Sequence, residues 1–445
     1  LLHRFEEEAG QGLNLEEAMV KALSRTIAAI LSSSLTTIAG FIALGLMKVE
    51  IGADLGFTMA RGVLISVITT IFVLPSLLIV CAPLIKKLRH RPLIPAFSRL
   101  GRIVSRFHVP LFIILILIAI PAWYGQNNLD VSYDMERSFP QSLPSMQALN
   151  RFRQKYDLAD SANLITKGLE PWETLALDQK IRSIPGIRGT SSFFSLVGSG
   201  IPDQFVPSAV SDRFYSNDYY NMSITLQEKS NSPISEAAYE EIRKSVINPD
   251  REMYLTGQAI IDYDMRELCK KDLTFVDWIS IIAVGLIIAV SFRSLSIPVL
   301  LVFIIQVAIW INKSIAFYSG NTMYYFSVIA LGTIQLGATV DYAILMTTRF
   351  QEERLNYPPR VAIARAATEC AGSIFTSALT LCAATIGIGL MNSLTLVKEL
   401  AMLLARGSII SMLAVSILLP AALLLLDRIF SVTSLKWPSR NKPNA

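Results

Sequence analysis

One carboxylate, Asp341, stands inside an almost uncharged run, NTMYYFSVIALGTIQLGATVDYAILMTT, that extends from Asn321 to Thr348. As a helix, a run of this length reaches about 40 Å, more than the roughly 30 Å of a hydrocarbon core. An aspartate at such depth costs about 2.5–3.5 kcal/mol on insertion scales, so it requires a partner, a polar cavity or a proton. A carboxyl that alternates between a dry environment and a polar one loads and releases a proton, and each charge moved across the membrane carries about 2.3 kcal/mol per 100 mV. Asp341 therefore reads as an ion-coupling residue. The competing reading, a carboxylate near a helix end drawn toward lipid headgroups, rests on the nearness of Arg349. Gly332, Gly337 and Ala338 would let another helix approach the Asp-bearing face closely. Thr376, Ser377 and Thr380 on the following apolar run, and Ser33, Ser34 and Thr37 near the start of the chain, offer hydroxyls to hydrate or bond such a path. Each of these hydroxyls has an equally ordinary use in bonding its own helix backbone.

The elements that must position these groups are written in the composition. Of 445 residues, 52% are hydrophobic and 17% charged, and the mean hydropathy is +0.47. The apolar residues come in long blocks, which is the pattern of a polytopic membrane protein. Eight spans are expected, at about Ala28–Met47, Leu55–Ala82, Val109–Tyr124, Leu273–Phe292, Ile297–Phe317, Thr322–Thr348, Cys370–Met391 and Leu396–Leu426. An amphipathic stretch, Leu15–Ala29, reads as an interfacial helix feeding the first. The connector with Lys86, Lys87, Arg89, Arg91, Arg99, Arg102 and Arg106, the Arg293 turn, the Arg349–Arg365 connector and the tail from Asp427 all fall on one side by crossing parity. Their basic character assigns that side to the cytoplasm and the 125–271 stretch to the other.

The net charge of +5 thus belongs to membrane topology and does not point to nucleic acid. Four scattered cysteines and three histidines outside the spans give no metal-ligand or disulfide pattern. No activated serine or acid–base set appears in the soluble stretch, which argues against an enzyme. Within it, strands are expected at Ala162–Lys167, Thr190–Leu196, Met222–Gln227 and Met253–Thr256. Helices are expected at Ser145–Tyr156, Trp172–Ser183 and Ser235–Arg243, with a loop at Leu196–Pro207. That order makes a small split βαβ sandwich. Helical text from Gln258 to Lys270 runs directly into the next span.

The opening of the chain is echoed near its end. LLHRFEEE at 1–8 resembles LMTTRFQEE at 345–353, ILSSSLTTIAGF at 30–41 parallels IFTSALTLCAAT at 374–385, and ARGVLIS at 60–66 matches ARGSIIS at 405–411, with Pro75 aligned on Pro420. Such an echo implies two pseudo-equivalent membrane halves. On this reading the chain is the C-terminal part of a longer protein, its opposing Asp-bearing helix lying before Leu1. Arg61 and Arg406 form a mirrored pair, either snorkelling to an interface or meeting lipid phosphates or intramembrane acids. Arg349, Glu352, Glu353 and Arg354 read as a helix-end clamp or a solvated flank.

GATVDYAILMTTRFQEE at 337–353, its echo at 1–8 and an α/β insert between two spans of one half together resemble the RND superfamily, and more narrowly its MMPL branch of hydrophobe and lipid exporters. The resemblance implies a polytopic α-helical bundle with an extracytoplasmic porter-like α/β domain. It also implies proton-motive-force-driven export of lipids, hydrophobic compounds or drugs in a bacterial cytoplasmic membrane, with no cofactor beyond the proton gradient. By position, Asp341 would carry the proton and Tyr342 would be its adjacent hydrogen-bond partner, facing a counterpart pair in the missing N-terminal half. Thr376, Ser377 and Thr380 would be relay partners and Gly337 a close-packing residue. Implied partners are membrane lipid, an amphiphilic substrate and the opposing half; a homo-oligomer is compatible. The expected organisation is 1–90 as the end of a first half, 91–108 as a basic connector, 109–124 as the first helix of the second half, 125–271 as the outer domain, 272–426 as five further spans and 427–445 as a tail. A SecDF-like partner in protein export, and a sterol-sensing or scaffold protein without transport, are the alternatives.

Overall fold

The computed structural model describes residues 1–445 except 11–13, 88–96, 134–138, 157–159, 199–200, 202–204, 217, 229–231, 249, 435–436 and 438–445. The start of the basic connector, parts of the 196–207 loop and most of the tail therefore lie outside the described residues. The chain divides into two compact units, Leu1–Val131 with Asp272–Ala445, and Ser132–Lys271.

The first unit opens with α1 (Leu2–Ala9), α2 (Leu15–Gly45) and α3 (Glu50–Ile68). The stretch read as a separate interfacial helix is instead the first half of the unbroken α2. Its start is capped by Asn14, whose side chain accepts from the Leu15 N–H, and Glu16 and Glu17 suit the positive end of the helix dipole. α2 and α3 pack backbone to backbone: a Cβ built on Gly56 would meet Gly45 N at 2.3 Å and Phe41 O at 2.6 Å. After α3, a π-helical turn (Thr69–Val73) leads into α4 (Leu74–Lys87). Pro75 lacks an N–H and its ring crowds the carbonyl one turn back, and a π turn relieves both faults. Within the basic connector, Ser98–Arg106 forms a helix, α5, rather than a loop; α6 (His108–Asn127) and the short β1 (Val131–Ser132) follow.

The second unit contains α7 (Pro144–Tyr156), β2 (Ser161–Lys167), α8 (Pro171–Arg182), β3 (Ile187–Ser191), α9 (Phe193–Val197), α10 (Ser208–Phe214), β4 (Tyr215–Ser216), β5 (Tyr219–Leu226), α11 (Pro233–Ser245) and β6 (Met253–Thr256). Its sheet runs β3-β5-β2-β6 with every neighbour antiparallel, while β4 hairpins onto β5. Helices α8 and α11 each cross over a strand supplied by the other βαβ unit, which is the split βαβ topology. Alternation buries Ala162 and Leu164 of β2 and Met222, Ile224 and Leu226 of β5 against Ile181, Tyr239 and Ile242. The strand expected at Thr190–Leu196 sits earlier and is shorter. Ser192 ends it by capping α9: the Ser195 N–H donates to Ser192 Oγ at 3.3 Å and the Ser192 N–H to Ser195 Oγ at 2.8 Å. Buried Asp178 accepts from Thr190 Oγ1 at 2.5 Å and pairs with Arg182 at 2.8 Å, fastening α8 to β3.

The first unit resumes through α12 (Gln258–Phe292), a single helix that begins in the second unit, then α13 (Ser296–Tyr318), the short β7 (Met323–Tyr324), α14 (Tyr325–Arg354) and α15 (Pro359–Met391). It closes with α16 (Thr395–Leu413), a second π turn (Ala414–Leu418), α17 (Leu419–Leu425) and α18 (Asp427–Thr433). The span expected from Thr322 starts later, because Met323 is extended and donates its N–H to the Asp130 carbonyl at 3.0 Å. The second π turn stands ahead of Pro420 just as the first stands ahead of Pro75. Among the described residues, eight helical stretches are long and apolar enough to cross a membrane: Leu15–Gly45, Glu50–Leu84, His108–Asn127, Gln258–Phe292, Ser296–Tyr318, Tyr325–Arg354, Pro359–Met391 and Thr395–Leu425.

Close packing of α2 on α3 leaves no space for a side chain at Gly56, whereas Gly62 on the same helix faces open space. Gly56→Ala is expected to destabilise the protein by about 1–3 kcal/mol through overpacking against backbone, and Gly62→Ala to leave it unchanged or more stable. Thermal unfolding of the two variants in detergent checks this; equal melting temperatures would refute the packing.

Candidate functional site

Helix α14 is the one the others surround. Of its most apolar stretch 83% is buried, against 67% for α13 and 61% for α16. α2, α13, α15 and α16 all pack on it. Its approach to α2 is set by small residues. A Cβ on Gly337 would lie 3.4 Å from Thr37 Cγ2 and 3.5 Å from Thr37 Cα, and one on Gly40 would lie 3.7 Å from the Thr333 carbonyl. At that separation Thr37 Oγ1 donates across the interface to the Gly337 carbonyl at 2.8 Å.

One helical turn further along α14, Asp341 faces the same neighbour. Its carboxyl is half-buried, it interacts with the Ser33 hydroxyl of α2, and its Oδ1 is enclosed with no hydrogen-bond partner among the described residues. Consecutive helical side chains point about 100° apart, so Tyr342 turns elsewhere. It is buried, and its hydroxyl interacts with Ser377 of α15 and Ser408 of α16. Ser408 Oγ in turn donates to the Ala378 carbonyl at 2.8 Å. Asp341 and Tyr342 are thus electrostatic neighbours that bond to different helices. Thr376 and Thr380 are exposed, and each hydroxyl donates to a backbone carbonyl one turn back, of Gly372 at 2.9 Å and of Thr376 at 2.8 Å.

A polar layer lies nearer the start of α14, and of its members the sequence pointed only to Arg406 and Gly332. Arg406 donates from Nε to Asn312 Oδ1 and from Nη2 to the Asn312 carbonyl, both at 2.7 Å. Asn312 Nδ2 donates to Gln335 Oε1 at 2.9 Å and to the Leu403 carbonyl at 3.0 Å, and Gln335 Nε2 reaches Ser411 Oγ at 3.0 Å. Gly407 makes room, since a Cβ there would sit 2.6 Å from both amide side chains. Among the described residues Arg406 therefore meets an amide and no intramembrane acid. One turn further, Asp277 of α12 and buried Lys313 of α13 converge on Gly332: a Cβ at that glycine would lie 3.0 Å from Asp277 Oδ1 and 3.5 Å from Lys313 Nζ. The signal for this layer was a few isolated polar letters in apolar runs, with nothing in the sequence to say that they share a level.

The far end of α14 is a web of ion pairs. Arg349 meets Glu352 at 2.9 Å and also pairs with Glu369 of α15; Arg4 of α1 reaches the same Glu352. Arg365 of α15 holds Glu353 at 2.8 Å. Arg354 takes both oxygens of Asp427 at 3.1 Å, and Trp437 Nε1 donates to the same carboxylate at 3.0 Å. These residues tie α1, α14, α15 and α18 together.

Gly337→Ala places a Cβ in ordinary contact with Thr37 and is expected to change stability little. Gly337→Leu should separate α2 from α14 at a cost of about 1–3 kcal/mol. Melting temperature, together with disulfide crosslinking of cysteines introduced on the two helices, distinguishes the variants; an unchanged crosslinking rate in Gly337→Leu would contradict the contact.

The MMPL family model matches residues 1–110 and 138–444. A membrane protein of Streptomyces coelicolor is 23% identical over 441 residues, which cover 95% of this chain and 60% of that relative. The Mycobacterium leprae protein described as transport protein MmpL4 is 22% identical over 273 residues, covering 57% of this chain and 28% of its own length. Among solved structures, SecDF, a translocon-associated membrane protein of Thermus thermophilus, superposes with a TM-score of 0.56 over 96% of this chain and 52% of that one. At 14% identity that likeness is one of fold. The chain spans less than two thirds of the length of each of these relatives. Matched by the family model along both the membrane unit and most of the sheet-bearing unit, the chain belongs to the MMPL family.

Proposed function

We propose that this chain works in a proton-driven membrane transporter, not an enzyme, with Asp341 as the group that takes up and releases the proton. The observation that carries the reading is the Asp341 carboxyl itself. It lies in the helix the others enclose, one of its oxygens has no hydrogen-bond partner among the described residues, and a second helix is held against it at Gly337. An enclosed acid with an unused oxygen gains most from a proton and loses it readily once a cation or water reaches it. Tyr342, with Ser377 and Ser408, offers a neighbouring chain of hydroxyls. Thr376 and Thr380 are left out, their hydroxyls being committed to their own helix.

Three further parts belong to the same proposal. The 125–271 stretch is extracytoplasmic and porter-like, a placement supported by crossing parity and by the split βαβ sheet. An opposing half supplies a counterpart acid, a reading supported by the partial coverage of each relative. The cargo is a lipid, hydrophobic compound or drug, in keeping with family membership.

The test uses the full-length protein in proteoliposomes with an imposed pH gradient and an entrapped pH dye. Asp341→Asn should slow gradient-driven proton flux at least about 100-fold, and Tyr342→Phe by about 10-fold. Full flux in a correctly inserted Asp341→Asn protein would remove the reading. Protein export is the second reading, favoured by the SecDF-like fold and sharing the ion-coupling step. Gradient-dependent movement of a fluorescent lipid, compared with that of a translocating polypeptide, separates the two.

A further inference from the structure

The Arg-rich connector forms a cavity that the proton relay does not use. Its volume is about 1070 Å³, and it is lined by α5, by Phe107 just after it, and by Arg360–Glu369 of α15. Five guanidinium groups line it: Arg99, Arg102 and Arg106 from α5, and Arg360 and Arg365 from α15. The single carboxylate in the lining, Glu369, is already held by Arg349 and Arg365. Arg99, Arg102, Arg106 and Arg360 have no carboxylate partner among the described residues, so these residues leave the cavity with a net positive charge.

The cavity is built, not a chance grouping of flexible side chains. Gly101 brings the α5 backbone onto α15 so closely that a Cβ would meet the Ala364 carbonyl at 2.2 Å and Thr368 Oγ1 at 2.5 Å. Val104, one turn on, is fully buried, and Ser105 Oγ donates to the Arg360 carbonyl at 3.1 Å. These contacts fix the backbone of α5, and with it the positions from which its arginines reach the cavity. The first turn of α15, with Arg360 and Val361 in the lining, adds the positive end of its dipole. The rim is apolar and exposed: Ile103, Phe107 and Val361 are 50%, 47% and 44% accessible. A free inorganic anion has no use for such a rim, whereas an acyl chain does.

We propose that this cavity binds the phosphodiester headgroup of an anionic glycerophospholipid, with guanidinium groups on the phosphate and the acyl chains over Ile103, Phe107 and Val361. Guanidinium forks match phosphate oxygens in pairs, and basic pockets beside membrane helices suit such headgroups. Arg365 lies in both the cavity and the ion-pair web at the end of α14, so the lipid would bear on the position of that helix. The inference stands apart from the relay and does not need Asp341 to carry a proton.

The full-length protein in non-ionic detergent is titrated with short-chain phosphatidylglycerol, short-chain phosphatidylcholine or inorganic phosphate, and binding is followed by the rise in melting temperature. Phosphatidylglycerol should protect at least tenfold more tightly than phosphatidylcholine, and phosphate at the same concentration should not protect. The triple variant Arg99→Gln, Arg102→Gln, Arg360→Gln should weaken phosphatidylglycerol binding at least tenfold, while Lys at the same three positions, keeping the charge but not the fork, should weaken it less. Should the triple Gln variant fail to fold, Arg102→Gln alone, at an exposed position, should weaken binding about threefold. Unchanged affinity in the Gln variants, equal protection by phosphatidylcholine, or protection by phosphate equal to that by the lipid would each overturn the assignment.

Discussion

Inside a bilayer a polar group has no water to fall back on, so each one must find its partner within the protein. Helix α14 carries more of that burden than its neighbours, and the membrane unit is arranged to meet it. Thr333, Thr339 and Thr347 return their hydroxyls to carbonyls of their own helix. Gln335 cannot do this, and the Asn312, Arg406 and Ser411 side chains close around it. Enclosing α14 is thus the condition under which these groups can be satisfied together; Asp341 Oδ1 and Ser327 Oγ are left without a hydrogen-bond partner among the described residues. Half-satisfied groups in low dielectric are costly, which sets this carboxyl apart from the amide layer nearby.

Close approach is what allows the enclosure. Thr37 reaches the Gly337 carbonyl across an interface where Gly337 and Gly40 keep the side chains small, and the Asn312–Gln335 pair forms only because Gly407 leaves space beside it. Elsewhere the bundle meets two of its prolines with local π turns, one before Pro75 and the other before Pro420. Both lie in segments whose sequences echo each other, so the same chemical fault meets the same backbone remedy twice. The end of α14 is held differently, by ion pairs reaching α1, α15 and α18; the Arg4 and Arg365 pairs are part-exposed, whereas Arg354–Asp427 is buried and Trp437 donates to the same carboxylate.

Reading the sequence located the long apolar helices because a span needs about 20 apolar residues, and such runs are unmistakable in composition. The same reading misjudged where helices join. Leu15–Ala29 changes character along its length, yet nothing in it breaks a helix, so α2 runs through. Thr190–Leu196 has strand-like letters, but Ser192 and Ser195 satisfy each other's backbone and start a helix. In both cases local hydrogen bonding outweighed the hydropathy pattern.

What the sequence determined by itself was the membrane class, the number and placement of long apolar helices, the alternation of strands and helices between them, and the presence of an acid in an apolar run. Each of these follows from short-range periodicity or from a count along the chain. What only the tertiary structure decided was company: Asp341 beside Ser33, Tyr342 beside Ser377 and Ser408, Arg406 on Asn312, Asp277 and Lys313 about one glycine, and five arginines around one cavity. Those pairings join residues tens to hundreds of positions apart. They depend on which face each helix turns to its neighbour, and hydropathy does not encode that, because in a membrane lipid and protein are equally apolar surroundings for most side chains.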